Sequence, residues 1–210
     1  MRKYLLITII LFIVSCGGGD PEPQILSSGL KIFATTSLHN GGFANDPFLT
    51  GANAIEKADS FCNSDAAKPN SAVYKAMLID GSNREAKTRT DWVLQPNTTY
   101  YRAYNNVEIS TTTEAAIFPI LYKDFTNSID PRNFGPPSDR DHPGYVWSGI
   151  TDLSDYSMTG ERSCQNWSSA SDDEQGIYGV INSKGQSAIS AVNSSTYCGA
   201  RLRLYCVEQP

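Results

Sequence analysis

The C-terminal end of the chain carries its most regular pattern of hydrophobic and polar positions. Small and apolar residues occupy every second position, at Ala200, Leu202, Leu204 and Cys206, and the positions between them are Arg201, Arg203 and Tyr205. A period of two is typical of a strand with one buried face. The pattern therefore predicts a single, half-buried strand over residues 200–206.

Helical spacing occurs clearly in one stretch. Between Ala52 and Ala66 the residues Ile55, Ala58 and Cys62 recur at the period of a helix, which predicts a helix that buries Cys62. Further β-branched and aromatic runs predict short strands at residues 30–36, 73–79, 91–94, 100–103, 107–109, 145–150 and 177–181. One helix and about seven short strands, joined by long loops, indicate an α+β fold.

The loops are rich in turn-forming residues. Residues 124–144 contain four prolines and two glycines, so little regular structure is expected there.

The core of the domain is expected to contain the three tryptophans. Trp92, Trp147 and Trp167 each lie in or beside an apolar run and are predicted to be core residues. About 180 residues follow Leu30, which is enough for one domain with a core of its own, and we assign residues 30–210 to it.

The N-terminus has the pattern of an export signal. Arg2 and Lys3 precede an apolar run of eleven residues, Tyr4–Val14, which is too short to span a bilayer as a helix. Ser15 and Cys16 end this run in the manner of a bacterial lipobox, which predicts a signal peptide at residues 1–15 and a lipid on Cys16. The alternative is an ordinary signal peptide that contains a cysteine. Residues 16–29, with three consecutive glycines, are expected to form a flexible tether.

Export also bears on the cysteines and the charge. Of five cysteines, lipidation of Cys16 leaves Cys62, Cys164, Cys198 and Cys206, which can pair in three ways. Disulfides are permitted in an exported protein.

The net charge of the whole chain is -5, and cleavage after Ser15 leaves 15 basic residues against 22 acidic ones. An acidic domain is a poor candidate for binding nucleic acid, so no nucleic-acid partner is expected.

Catalytic chemistry has little support in the sequence. The two histidines, His39 and His142, have no second histidine at the spacing of a zinc site. No phosphate-binding glycine loop and no nucleophile elbow occurs. The acidic run Asp172–Glu174 lacks the alternating spacing of a calcium loop and is expected to be an exposed turn. The sequence therefore predicts a protein that is not an enzyme and needs neither a metal nor a cofactor.

Several blocks of the sequence resemble a known family. Residues 58–62, 73–78, 145–149, 164–167 and 204–208 are similar to endostatin, the C-terminal domain of collagen XVIII, which has a C-type-lectin-like fold. More closely, residues 31–36, 91–102 and 206–209 resemble the leptospiral endostatin-like lipoproteins of the outer surface. This resemblance implies an endostatin-like, C-type-lectin-like domain with one main helix and short antiparallel strands. It also implies the disulfides Cys62–Cys206 and Cys164–Cys198.

The sugar-binding calcium pocket of C-type lectins and the zinc site of endostatin do not carry over. Gln95-Pro96-Asn97 resembles a calcium-binding tripeptide of those lectins, but it precedes the long loop and is interpreted as a turn. The histidines of the endostatin zinc site have no counterparts in this sequence.

The resemblance implies a function at the cell surface. It predicts a lipid-anchored adhesin of the bacterial outer membrane that binds the matrix proteins laminin and fibronectin and the complement regulator factor H, with plasminogen as a further candidate ligand. Within the proline-rich loop, charged residues on a disulfide-linked scaffold are the expected contacts: Arg132, Asp139, Arg140 and Asp141. Two alternatives stay open, a calcium-independent carbohydrate-binding protein and a periplasm-facing envelope protein without a host ligand.

Overall fold

The computed structural model describes residues 29–135, 137–158, 162–191 and 194–210. The predicted signal peptide, the predicted lipidation site Cys16 and all but the last residue of the predicted tether lie outside the described residues. The strands are β1 (Leu30–Ala34), β2 (Tyr74–Ala76), β3 (Thr99–Arg102), β4 (Glu108–Thr111), β5 (Asp141–Trp147), β6 (Gln175–Val180), β7 (Ser195–Tyr197), β8 (Arg201–Arg203) and β9 (Tyr205–Glu208). The helices are α1 (Ala54–Ser64) and α2 (Cys164–Trp167), and 3-10 turns occur at Phe43–Asn45 and Gln186–Ala188.

Helix α1 confirms the helix predicted from spacing. Asn53 caps its N-terminus by accepting a hydrogen bond from the Glu56 amide at 3.0 Å. The Glu56 carboxylate accepts one from the Ala52 amide at 2.7 Å, so two amides without helical partners are satisfied. The buried face consists of Ala54, Ile55, Ala58 and Cys62, and Cys62 is fully buried as predicted.

The strands form two sheets that share the C-terminal segment. The five-stranded sheet has the order β2-β9-β1-β3-β4, and the four-stranded sheet has the order β7-β6-β5-β8. Strands β8 and β9 are separated by Leu204 alone, so the chain passes from one sheet into the other at this residue. The strands predicted at residues 100–103 and 107–109 are confirmed by β3 and β4, which pair antiparallel.

The prediction of one half-buried strand over residues 200–206 is wrong. Because β8 and β9 belong to different sheets, the predicted outer face is covered from Arg203 onward: Arg203 and Tyr205 are 5% and 0% exposed, and only Arg201 of that face is exposed. The guanidinium of Arg203 is satisfied by the carbonyls of Thr35 and Pro143, the latter at 2.7 Å from Nε. The alternation predicted that Arg203 would be solvated on an exposed face. In the structure, carbonyl groups of other segments accept its hydrogen bonds in place of water.

The prediction of an α+β, C-type-lectin-like (endostatin-like) domain is also wrong, because the protein is mostly β. Among the described residues, α1 with its 11 residues is the only long helix, and α2 has four. One helix of about 16 Å covers only part of a five-stranded sheet. Loop residues such as Trp92, Phe118 and Ile120 fill the core instead, so no helical layer forms. The strands are also not all antiparallel, since β1–β3 and β5–β8 pair in parallel.

Two hydrophobic clusters fill the interior. One is built around Ile32, Tyr100, Phe118 and Val146, and the other contains all four described cysteines with Trp147 and Trp167. The disulfides are Cys62–Cys206 and Cys164–Cys198, which is the pairing that the resemblance implied. The three tryptophans are at most 7% exposed, which confirms that they are core residues.

Residues 91–94 were predicted as a strand and form a turn instead. Asp91 has φ of 44°, a left-handed conformation that is incompatible with a strand. Trp92 donates a hydrogen bond from its indole nitrogen to the Ala116 carbonyl at 2.7 Å, and Val93 and Leu94 pack in the same cluster. The residues of this apolar run are therefore apolar because they belong to a buried loop. Periodicity alone does not distinguish a short buried loop from a short strand.

The segment α2 is a left-handed turn. All four of its residues have φ between 50° and 61°. Non-glycine residues pay roughly 1–2 kcal/mol each for this conformation. The turn is held in place by the disulfide of Cys164 and by the indole of Trp167, whose nitrogen donates to the Ile79 carbonyl at 2.7 Å. The disulfide and this buried hydrogen bond offset the free-energy cost of the left-handed backbone conformation.

Candidate functional site

The four predicted contact residues lie in two different places. Asp139 and Arg140 line a pocket of about 330 Å³ together with Asp172 and Tyr197, which we call the loop site. Asp141 follows directly and forms a salt bridge with Arg201 of β8, with Nε 2.6 Å from Oδ1. Arg132 lines a separate groove. The structure therefore brings three of the four residues together.

The loop site is organised by an exposed salt bridge. The guanidinium of Arg140 contacts the carboxylate of Asp172 with both terminal nitrogens, at 2.8 and 3.3 Å. Their side chains are 59% and 53% exposed. Ion pairs as exposed as this one contribute little to stability, so their charged groups can exchange partners with a ligand at low cost. Asp172 belongs to the turn that the sequence predicted to be exposed.

A glycine makes room for this ion pair. A Cβ atom at residue 199 would lie 2.0 Å from Oδ1 of Asp172 and 2.8 Å from Nη1 of Arg140. Gly199 directly follows Cys198 of the second disulfide, which fixes the backbone at this point. The pair therefore rests on the backbone of a covalently anchored segment. The sequence contained this glycine but no signal for its role.

Tyr197 of the loop site begins a series of four neighbouring aromatic side chains, which we call the aromatic row: His142, Tyr145, Tyr178 and Tyr197. The rings of Tyr145 and Tyr178 stack with centroids 4.6 Å apart, and His142 lies 5.7 Å from Tyr145 and 5.9 Å from Tyr197. The three tyrosines are half-buried and pack against the cluster that contains the disulfides. Their inner sides are thus fixed, while their outer parts reach solvent.

A register shift between β5 and β8 lies at the His142 end of the aromatic row. Asp141 pairs with Arg201 and Val146 pairs with Arg203, so five steps along β5 correspond to two along β8. His142 lies within this shift, and its ring is 5.9 Å from that of Tyr197. Tyr145 stays paired with β6 and stacks on Tyr178. Bulges are common next to functional sites. The sequence could not reveal this shift, because it depends on the register between two distant strands.

The two histidines lie in different environments. Burial lowers the pKa of His142, and the neighbouring carboxylate of Asp141 opposes this only in part. Its Nδ1 is buried and makes no hydrogen bond within the described part of the chain. His39 stacks on Phe43 and contacts the Asp46 carboxylate through Nε2 at 2.9 Å.

The described ranges contain no group of three or more His, Cys, Asp or Glu side chains that could hold a metal ion. No helix in this part of the chain combines the length and hydrophobicity needed to cross a bilayer. Gln95–Asn97 forms a turn after Leu94, in which Asn97 has φ of 48° and its amide donates to the Thr113 carbonyl.

Fold and site together define a mostly β, disulfide-linked domain with a charged pocket beside a row of tyrosines. Residues 45–184 match the family described as "Protein of unknown function (DUF1554)", and the chain belongs to this family. A comparison with curated proteins gives no match. The family description states no activity, so the function must be argued from the site.

Proposed function

We propose that this protein is an exported, non-catalytic binding module that attaches to host macromolecules through the loop site and the aromatic row. The observation that carries the proposal is that Arg140 lines a pocket with the partly buried Tyr197, which leads into the aromatic row, on a disulfide-linked scaffold. Tyr and Arg are the residues most enriched at the energetic centres of protein interfaces. Tyrosines already fixed by packing lose little entropy when a partner binds.

The identity of the ligands is proposed from the resemblance to the endostatin-like lipoproteins. On that basis the ligands are laminin, fibronectin and factor H, with plasminogen as a further candidate. The same resemblance, with the lipobox ending at Cys16, supports a lipid anchor and a position on the outer face of the outer membrane. The geometry of the site supports protein recognition.

Binding of the mature chain to immobilised laminin, fibronectin and factor H at physiological salt tests this proposal. Arg140→Ala is expected to reduce affinity at least about tenfold if Arg140 is an interface centre. Lys123→Gln, an exposed change outside the site, serves as the matched control for loss of one positive charge. Equal affinities of the two variants, or no saturable binding by the wild type, would overturn the proposal.

A second candidate function is calcium-independent binding of carbohydrate, and the aromatic row favours it. Aromatic faces pack against the apolar faces of sugar rings, and the Arg140–Asp172 pair offers both donors and acceptors to hydroxyl groups. A glycan array probed with and without chelator separates the two functions. Selectivity for particular saccharides that persists in chelator supports the lectin, whereas binding to protein ligands stripped of glycans supports the adhesin.

The remaining alternative is an envelope protein that faces the periplasm. Protease treatment of intact cells tests it, because an externally exposed domain is cleaved and a periplasmic one is protected. Cleavage within exposed segments such as Ser171–Asp173 is expected for a protein displayed on the surface.

A further inference from the structure

A second concave surface of the protein has a chemistry different from that of the loop site. It is a groove of about 610 Å³, which we call the cationic groove. Its floor is apolar and includes Phe33, Ala34, Ala103 and Ile129, and its charged or polar walls are Lys68, Arg102, Tyr104, Asp130 and Arg132. Its volume is within the range of known ligand pockets. None of these residues lines the loop site.

The charges of the groove do not balance. Arg132 forms a salt bridge with Asp130, which is only 2% exposed, so these two charges compensate each other. Lys68 and Arg102 form no salt bridge with any carboxylate in the described ranges. The groove thus carries two uncompensated positive charges on a protein whose overall charge is negative. This distribution favours an anionic ligand.

Arg102 is the more informative of the two cations. It is only 6% exposed, and its Nε donates to the Ser128 carbonyl at 3.0 Å. Its guanidinium lies 5.5 Å from the centre of the Tyr104 ring, whose side chain is mostly exposed. A charge that has left water without an opposite charge is costly, and a carboxylate arriving in the groove would offset that cost.

From these observations we infer that the cationic groove binds an acidic peptide segment of a partner protein. An Asp or Glu carboxylate of the peptide would lie between Arg102 and Lys68, and an adjacent apolar side chain would contact Phe33 and Ile129. Tyr104 would cover the peptide from the open side. This binding is independent of the proposed function, because it uses no residue of the loop site or the aromatic row.

The test uses the mature chain and two fluorescent ten-residue peptides, one of alternating Glu and Leu and one of alternating Gln and Leu. The Glu/Leu peptide is expected to bind more tightly, and its affinity is expected to fall as salt is raised, since screening weakens charge pairing. Lys68→Gln should weaken it about threefold to fivefold, the contribution of one partly exposed ion pair. Lys123→Gln, which removes a positive charge outside the groove, should leave it unchanged.

Tyr104→Phe provides a second variant: it keeps the ring over the Arg102 guanidinium and removes only the hydroxyl that accepts from Nη1 at 3.4 Å, whereas Tyr104→Ala removes both and is expected to lose more affinity. Equal binding of the two peptides, or equal effects of Lys68→Gln and Lys123→Gln, would overturn the inference. Binding to anionic lipid vesicles without binding to the Glu/Leu peptide would overturn it as well.

Two control variants establish which part of the chain the peptide contacts. Arg140→Ala should not change peptide affinity, so failure of the groove and failure of the loop site can be told apart. The double substitution Asp20→Asn and Glu22→Gln removes the acidic residues of the tether. Unchanged affinity supports an external partner, whereas a gain in affinity would mean that the tether itself competes for the groove and would overturn the assignment.

Discussion

Cys62 on helix α1 and Cys206 in strand β9 form a disulfide that joins residues 144 positions apart, with their Cα atoms 5.6 Å from each other. Strand β9 pairs with both β1 and β2, so the bond attaches the only long described helix to the interior of the five-stranded sheet. The second bond, Cys164–Cys198, spans only 34 positions and fixes the left-handed turn beside the loop site. The two bonds therefore stabilise different features of the fold.

Removal of each disulfide should have a different effect on stability. In the chain-entropy view the longer loop of Cys62–Cys206 contributes about 5 kcal/mol and the shorter loop about 4 kcal/mol, as upper values. We expect the pair Cys62→Ala and Cys206→Ala to lower the free energy of unfolding more than Cys164→Ala with Cys198→Ala. Urea unfolding of both double variants measures this. A larger loss for the second pair would contradict the prediction.

Arg84 is predicted to be essential for stability. It is fully buried and contacts both carboxylate oxygens of Asp59 at 2.8 Å, as well as the carboxylate of Asp91. Arg84→Met should cost roughly 3–5 kcal/mol, because it leaves carboxylates without their buried partner. Lys75→Met is the matched control, since Lys75 also pairs with Asp91 but at the surface, where the loss should be below about 1 kcal/mol. Similar losses in urea unfolding would contradict this account.

The protein should lose stability in acid, and Asp65 should contribute to that loss. Burial opposes ionisation of Asp65, but hydrogen bonds from the amides of Thr36, Ser37 and Ala67 outweigh it and lower its pKa below the ordinary 3.8. A lowered pKa in the folded state stabilises the protein above the ordinary value, and this contribution is lost as the pH falls through the lowered one.

Asp65→Asn is therefore expected to be less stable at pH 7 and to lose less stability between pH 5 and 2 than the wild type. Free energies of unfolding measured across this pH range provide the test. Identical pH dependence of the two proteins would show that Asp65 is not among the groups responsible.

Glycine at an exposed position of the left-handed turn α2 should relieve the backbone strain there. Gln165 has φ of 52° and an exposed side chain that donates to Glu174. Gln165→Gly should raise the free energy of unfolding by up to about 1 kcal/mol, because glycine adopts this conformation without steric cost. Gln165→Ala removes the same side-chain contact but keeps Cβ, so it should not stabilise. A stabilised alanine variant would mean that backbone strain is not the cause.

The sequence predicted local features better than their assembly. Helix α1 was visible because Ile55, Ala58 and Cys62 follow one helical face, which requires no information from other segments. The pairing of β3 with β4 is equally local, since only a short turn separates them. In contrast, residues 200–206 were predicted to form one strand. Alternation does not show that the chain leaves one sheet at Leu204 and pairs with strands of the other.

The site was predicted only in part for the same reason. Asp139, Arg140 and Asp141 are neighbours in the chain and stay together, whereas Arg132 belongs to the cationic groove. Asp172, Tyr178 and Tyr197 were missed as site residues, because each reaches its partner, Arg140, Tyr145 or His142, from a segment that is distant in the sequence. The charges of the proline-rich loop indicated the location of the site, but no local pattern indicated which other residues pack against that loop.

The most direct test of the central claim is the affinity of the mature chain for laminin when only Gly199 is changed. Gly199→Ala places a methyl group where the Arg140–Asp172 pair now lies; its two shortest contacts are with the ends of exposed side chains, and the third is with the Ala170 carbonyl oxygen at 3.1 Å, which must shift only slightly. We predict a loss of affinity of about tenfold or more, with the free energy of unfolding changed by less than about 1 kcal/mol. Unchanged affinity for laminin in this variant would contradict recognition through the loop site.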